Sequence, residues 1–135
     1  MTTELYAAIL LCLFAPLHAV ISATTNALIV GFDWGLGNRF VDPQLPHWAV
    51  RMKRAHANLI ENLPSFLGIV IIAHLLNVHD NITIMATWGF VIARVVYAFV
   101  YTFGITILFP RTLLYFASLG ALGAIAWRIF MTTAV

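Results

Sequence analysis

Apolar residues along this chain gather into four long blocks, at about residues 5–30, 48–77, 82–109 and 113–131, with short polar breaks between them. About 20 helical residues rising 1.5 Å each cross a hydrocarbon core of roughly 30 Å, so each block is of membrane-spanning length. The pattern predicts an all-α integral membrane protein, a single domain over residues 1–135 built as a four-transmembrane-helix bundle. The first break, Gly31 to His47, is expected to be an extended loop, because Gly31, Gly35, Gly37, Pro43 and Pro46 interrupt helix there. Trp34 and Trp48 bracket it as residues of an aromatic belt would. Val78 to Asn81 reads as a tight polar turn; Pro110 is expected to close the third span, leaving Arg111 and Thr112 at the turn before the fourth.

Polar residues inside the blocks change the picture from a plain bundle to one with a site. A charge at bilayer depth costs roughly 2.5–3.5 kcal/mol on insertion scales, so such residues face the bundle interior and have a partner or a task. Helical steps of three, four and seven put Arg51, Arg54, Asn58, Glu61 and Ser65 on one stripe of the second span, and Arg94, Tyr97 and Tyr101 on one stripe of the third. The two spans are consecutive and antiparallel, so facing positions share a constant sum of residue numbers. Glu61 with Arg94, Asn58 with Tyr97 and Arg54 with Tyr101 satisfy one such sum. Two readings follow: Glu61 and Arg94 neutralise each other as a structural pair, or they belong to a pocket in which Arg51, Arg54, Arg94 and Arg111 surround one carboxylate and attract an anion. Asn58 adds an amide and the tyrosines add hydroxyls, which suits a small ligand bearing carboxylates and an amine.

Other polar groups read as structural. His18 and Thr24-Thr25-Asn26 are expected to hydrogen-bond between helices, and Arg128, beside Trp127, to snorkel to the far interface. Ala8, Cys12, Ala15, Ala19 and Ala23 make a small-residue face on the first span, as Ala117, Gly120, Ala121 and Ala124 do on the last.

Composition supports this class and excludes others. Of 135 residues, 62% are hydrophobic and 9% charged, too few polar residues to cover a water-soluble globule of this size. A net charge of +2 is too weak to argue for a nucleic-acid partner. The single cysteine, Cys12, allows no internal disulfide and no cysteine metal framework, and no metal site is expected. Without a basic n-region, and with an apolar run too long for a signal peptide, the first block reads as a retained span. Arg39, Arg51, Lys53, Arg54 and Arg111 fall on one side of the membrane against Arg128 on the other. The positive-inside rule then turns the polar pocket toward the cytoplasm and both termini away from it.

The run Arg54-Ala-His-Ala-Asn58-Leu-Ile-Glu61-Asn-Leu-Pro64-Ser-Phe66 resembles the second-helix signature of the MAPEG family, the membrane-associated proteins in eicosanoid and glutathione metabolism. Gly37-Asn38-Arg39, Ala93-Arg94-Val95-Val96-Tyr97 with Tyr101, and Arg111-Thr112 resemble further family patterns in the right order, the first of them one of bacterial members. The resemblance covers nearly the whole chain. It implies a homotrimer in a bacterial inner membrane that binds glutathione as cosubstrate between subunits and accepts a lipophilic substrate from the bilayer. Carried over by position, Arg54, Asn58 and Glu61 would bind glutathione from one subunit, with Arg94, Tyr97, Tyr101 and Arg111 from the neighbour, Arg51 and Thr112 lying alongside. Arg111 would hold the thiol as thiolate. The implied activity is that of a glutathione transferase or peroxidase. Alternatives are a non-catalytic accessory subunit of the same family and a small proton-coupled exporter using Glu61. Ala57 stands where several eicosanoid-synthesising members have a second arginine, which implies a lower glutathione affinity, and Tyr97 stands where one of them has histidine, which argues against a specific prostaglandin or leukotriene activity.

Overall fold

The computed structural model describes residues 1–107 and 109–133. They form α1 (Thr3–Val30), α2 (Phe32–Leu36), α3 (His47–Leu75), α4 (Asn81–Phe103) and α5 (Pro110–Thr133). The helices α1, α3, α4 and α5 are each long and apolar enough to cross a membrane. The protein is an all-helical membrane protein. The short α2 is unexpected: it is a single turn and a half inside the glycine-rich break, where Gly31 ends α1 with φ 119° and also starts α2.

Helix ends differ most from the pattern of apolar blocks. The third span stops at Phe103, not at Phe109, because Gly104 takes the left-handed conformation (φ 70°) that terminates a helix cheaply. Leu108, inside the expected span, lies outside the described residues. Pro110 does not close that span; it opens α5, where its missing N–H is one that a first turn leaves unpaired anyway. Arg111 and Thr112 therefore belong to the first turn of α5. At the other end, Asp80 caps α4 by accepting from the N–H groups of Ile82 (2.9 Å) and Thr83 (3.0 Å), and the Thr83 hydroxyl accepts from the Asp80 N–H.

In cross-section the bundle is a rhombus. Helices α3 and α4 each touch all the other three spans, while α1 and α5 occupy far corners without touching one another among the described residues. Alanines Ala7, Ala8 and Ala15 on α1, Ala73 on α3 and Ala86 on α4 let the backbones approach closely around a few large side chains. Phe66 and Phe90 stack with centroids 4.3 Å apart, within one residue of the expected antiparallel register. Large apolar residues such as Leu13, Val20, Met85, Ile92 and Phe130 point outward, as suits helices that face a lipid bilayer.

Two smaller expectations change. Cys12 is exposed instead of packed. His18 stacks on Phe14 and lies 5.5 Å from the His56 ring, with its Nδ1 unbonded. Arg128 has a partner that its spacing did not announce, Asp80, with Nε donating at 2.6 Å.

We call the end bearing the 31–46 segment and the α4–α5 connection the loop end, and the other, where α1 starts and α5 ends, the terminal end.

Candidate functional site

Near the loop end, α3, α4 and α5 bring together most of the residues singled out by spacing. Arg94 is 2% exposed and its Nη1 donates to Asn58 Oδ1 at 2.6 Å. Its guanidinium carbon lies 5.2 Å from the Phe90 ring centre and 5.4 Å from that of Tyr115, so the charge is held between two aromatic faces. Its Nε and Nη2 are buried with no hydrogen-bond partner. A cation in this state is poised for an acceptor, since an unmet donor on a buried charged group is strongly unfavourable.

Next along α4 come Tyr97, buried, and Tyr101, with rings 5.6 Å apart. Arg111 on α5 lies with its guanidinium 5.1 Å from the Tyr101 ring centre. Asn58, Tyr97, Arg111, Thr112 and Tyr115 line a polar cavity of about 410 Å³. Arg111 and Thr112 also line a second cavity of about 360 Å³, whose other walls are mostly apolar (Val100, Ile105, Phe109 and Pro110) but include Arg51, Tyr101 and Thr106. A polar compartment and a mostly apolar one thus meet at Arg111.

Arg51 has a local task. Its Nε donates to the Thr102 carbonyl at 3.2 Å, supplying a proton donor and positive charge at the C-terminus of α4. A Cβ on Gly104 would lie 2.9 Å from Arg51 Nη2, at the movable end of that side chain, so it is the positive φ that calls for glycine here.

The expected meeting of Glu61 with Arg94 is not found. Glu61 and Arg54 are exposed on α3, and neither takes part in the salt bridges present among the described residues. The reason is angular. Three residues of helix turn through about 300°, so positions three apart sit about 60° from alignment. That angle splits the single stripe in two: Arg51 and Asn58 face α4, while Arg54 and Glu61 face out of the bundle. Facing residue numbers predict height along the axis, not rotation about it.

Tyr115 was not among the expected residues, although it sits one turn beyond Arg111 on α5 and shares its cavity. The i, i+4 spacing from Arg111 was the available signal. Phe90, one turn before Arg94, could have been found the same way.

A comparison with family models matches residues 4–131 to the MAPEG family. The chain belongs to the MAPEG family. Searches of curated proteins and of solved structures gave no match. The match spans nearly the whole chain and takes in residues of all four spans. The family includes glutathione transferases and peroxidases as well as non-catalytic members, and glutathione is its general cosubstrate.

Proposed function

We propose that this MAPEG protein is a membrane-bound glutathione transferase or peroxidase acting on lipophilic electrophiles or hydroperoxides. The observation that carries this reading is the pair of buried, unpartnered nitrogens on Arg94, beside a cavity that Arg111 lines and no carboxylate lines. Such a wall favours an anion, and glutathione brings two carboxylates and, when ionised, a thiolate. The polar cavity suits the tripeptide, and the mostly apolar cavity beyond Arg111 suits a hydrophobic acceptor.

The outward Arg54 and Glu61 support a site shared between subunits. Glu61 lies midway along a membrane-spanning helix, where a carboxylate does not face lipid without large cost. In an oligomer, for which a homotrimer is the proposal, Arg54 and Glu61 of one subunit face the next. There Glu61 takes the glutathione amine.

The chemistry follows from Arg111. A free thiol with a pKa of about 8.5 is only a few per cent thiolate at pH 7, and a guanidinium nearby favours the anion. The thiol proton passes to solvent. In transfer, the sulfur lone pair forms the C–S bond as the leaving group departs with its electron pair. In reduction, two thiols are oxidised to a disulfide while the hydroperoxide becomes alcohol and water.

Calorimetry on the detergent-solubilised protein, with conjugation of an aromatic halide followed by absorbance, tests this. Saturable binding at micromolar to millimolar glutathione is expected. Arg111→Ala should lower turnover by about a hundredfold while changing binding only a few-fold, as removal of one charge-stabilising donor typically does. Glu61→Gln should instead weaken binding, by about tenfold, the loss of one charge-assisted contact. No binding at millimolar glutathione would falsify the proposal; binding without turnover on a broad panel of electrophiles would assign the non-catalytic role.

A further inference from the structure

A separate cavity of about 510 Å³, whose mainly apolar wall carries several polar groups, lies on the opposite flank of α3, between the last turns of α1, the 34–45 segment and the first turns of α3. Ser22, Asn26, Arg39, Asp42, Lys53 and His56 supply its polar lining, and none of these residues lines either cavity at Arg111. Asn26 is 9% exposed, and its Oδ1 is buried without a partner. The same holds for Nδ1 of His56. An amide oxygen in that position calls for a donor, and a neutral imidazole nitrogen can give or take one bond.

The segment above the cavity is held in place by specific contacts. Gly35 packs so closely on α1 that an added Cβ would lie 2.4 Å from the Ala27 Cβ. Arg39 donates from Nε (3.1 Å) and Nη2 (2.8 Å) to the Gly35 carbonyl, and its guanidinium lies 5.2 Å from the Trp34 ring centre. Trp34 in turn donates to the Val41 carbonyl at 2.8 Å. Arg39 adopts φ 53°, an uncommon conformation for a residue with a side chain. These contacts fix one guanidinium at the cavity, with Lys53 as a second cation and Asp42 as the only acid in the lining.

We propose that this cavity binds the headgroup of an anionic phospholipid, a phosphodiester carrying free hydroxyls such as phosphoglycerol. Arg39 and Lys53 take the phosphate; the headgroup hydroxyls donate to Asn26 and exchange a bond with His56. Size agrees, because sites for small ligands occupy about 300–1,000 Å³. Depth agrees as well: the cavity lies where spanning helices meet their connecting loop, the level at which basic pockets between helices take lipid headgroups. The apolar part of the lining, Ala19 and Ala23 of α1 with Leu45 and Val50, gives the first carbons of the acyl chains a surface to lie on. This inference is independent of the glutathione reading, since the two use different residues.

The test uses full-length protein stripped of lipid in detergent and titrated with phosphatidylglycerol or phosphatidylcholine, with native mass spectrometry and thermal unfolding as readouts. Phosphatidylglycerol should be retained at least fivefold more than phosphatidylcholine and should raise the unfolding temperature. Arg39→Gln with Lys53→Gln should abolish that preference, and Lys53→Gln alone, at an exposed position, should reduce it. Glutathione binding by these variants should match the parent, which separates a failure here from a failure at Arg111. Soluble glycerophosphoglycerol forms a second arm: competition by it at millimolar concentration supports recognition of the headgroup itself, and its failure to compete while lipid binds supports recognition of headgroup and chains together. Equal retention of the two lipids, or an unchanged preference in both variants, overturns the proposal.

Discussion

The two ends of this bundle are built from the same kinds of side chain and use them in opposite ways. At the terminal end the carboxylates of Glu4 and Asp80 both have partners. Glu4, 4% exposed, accepts from the Thr83 hydroxyl at 2.7 Å and lies 3.6 Å from His79 Nδ1, while Asp80 takes two backbone N–H groups and Arg128. At the loop end Arg94 keeps two donors unmet, and Arg111 rests on an aromatic ring with no acid beside it. Groups that satisfy one another hold helices together. Unsatisfied charge at the loop end adds little to the fold and is available to a ligand, so substitutions at the two ends should separate stability from binding.

The largest expected effect is at Arg94. Arg94→Met keeps the length of the side chain and removes its charge, so glutathione affinity should fall by roughly a hundredfold, the usual scale for truncating a buried charge contact at about 3 kcal/mol. Thermal stability should hold or rise, because an incompletely paired buried charge is replaced by an apolar group. Calorimetry and a melting curve on the same preparation check both halves; a variant that melts early and still binds glutathione would reverse the comparison. Glu4→Ala should do the converse. Loss of the Thr83 and His79 contacts should lower stability by about 2 kcal/mol, from a buried hydrogen bond to a charged group, and leave the glutathione constant unchanged. Denaturant unfolding in detergent gives the first quantity and calorimetry the second.

Much of the loop-end wall was legible in the sequence because helical spacing is a local property. Arg94, Tyr97 and Tyr101 needed only their separations, and the four spans needed only block length. What was not legible depends on rotation or on distant pairing. Whether Glu61 faces α4 or the outside of the bundle is a matter of about 60° about the helix axis, which spacing leaves open until a partner helix is placed. Pro110 carries the same local signal whether it ends one helix or starts the next; Gly104 was the better marker of where α4 stops. Glu4 and Thr83 lie far apart in sequence and meet only because α1 and α4 begin at the same end of the bundle. Nothing near Glu4 indicates such a contact. Tyr115 differs from these: its spacing from Arg111 was in plain view, but without the start of α5 the two did not belong to one helix.

Asp80 carries the smallest effect and the sharpest sign. The N–H of Thr83 holds its carboxyl below the usual range; burial pushes the other way, and Arg128 adds to the lowering. A carboxylate whose pKa is lower folded than unfolded contributes stability that is complete above the unfolded value, 3.8 for this group, and is lost as pH falls through the folded value. Stability measured downward from neutral pH should therefore hold until about that unfolded value and then decline. Asp80→Asn keeps an N-cap side chain, so at pH 7 it should give up only the ionic part of the contact with Arg128, less than about 1 kcal/mol for a partly exposed pair. Having no proton to take up, the variant should lose less than the parent below pH 4, and the two stability curves should converge there. Parallel curves throughout would mean that the charge of Asp80 contributes nothing at this end, and that capping and packing alone secure it.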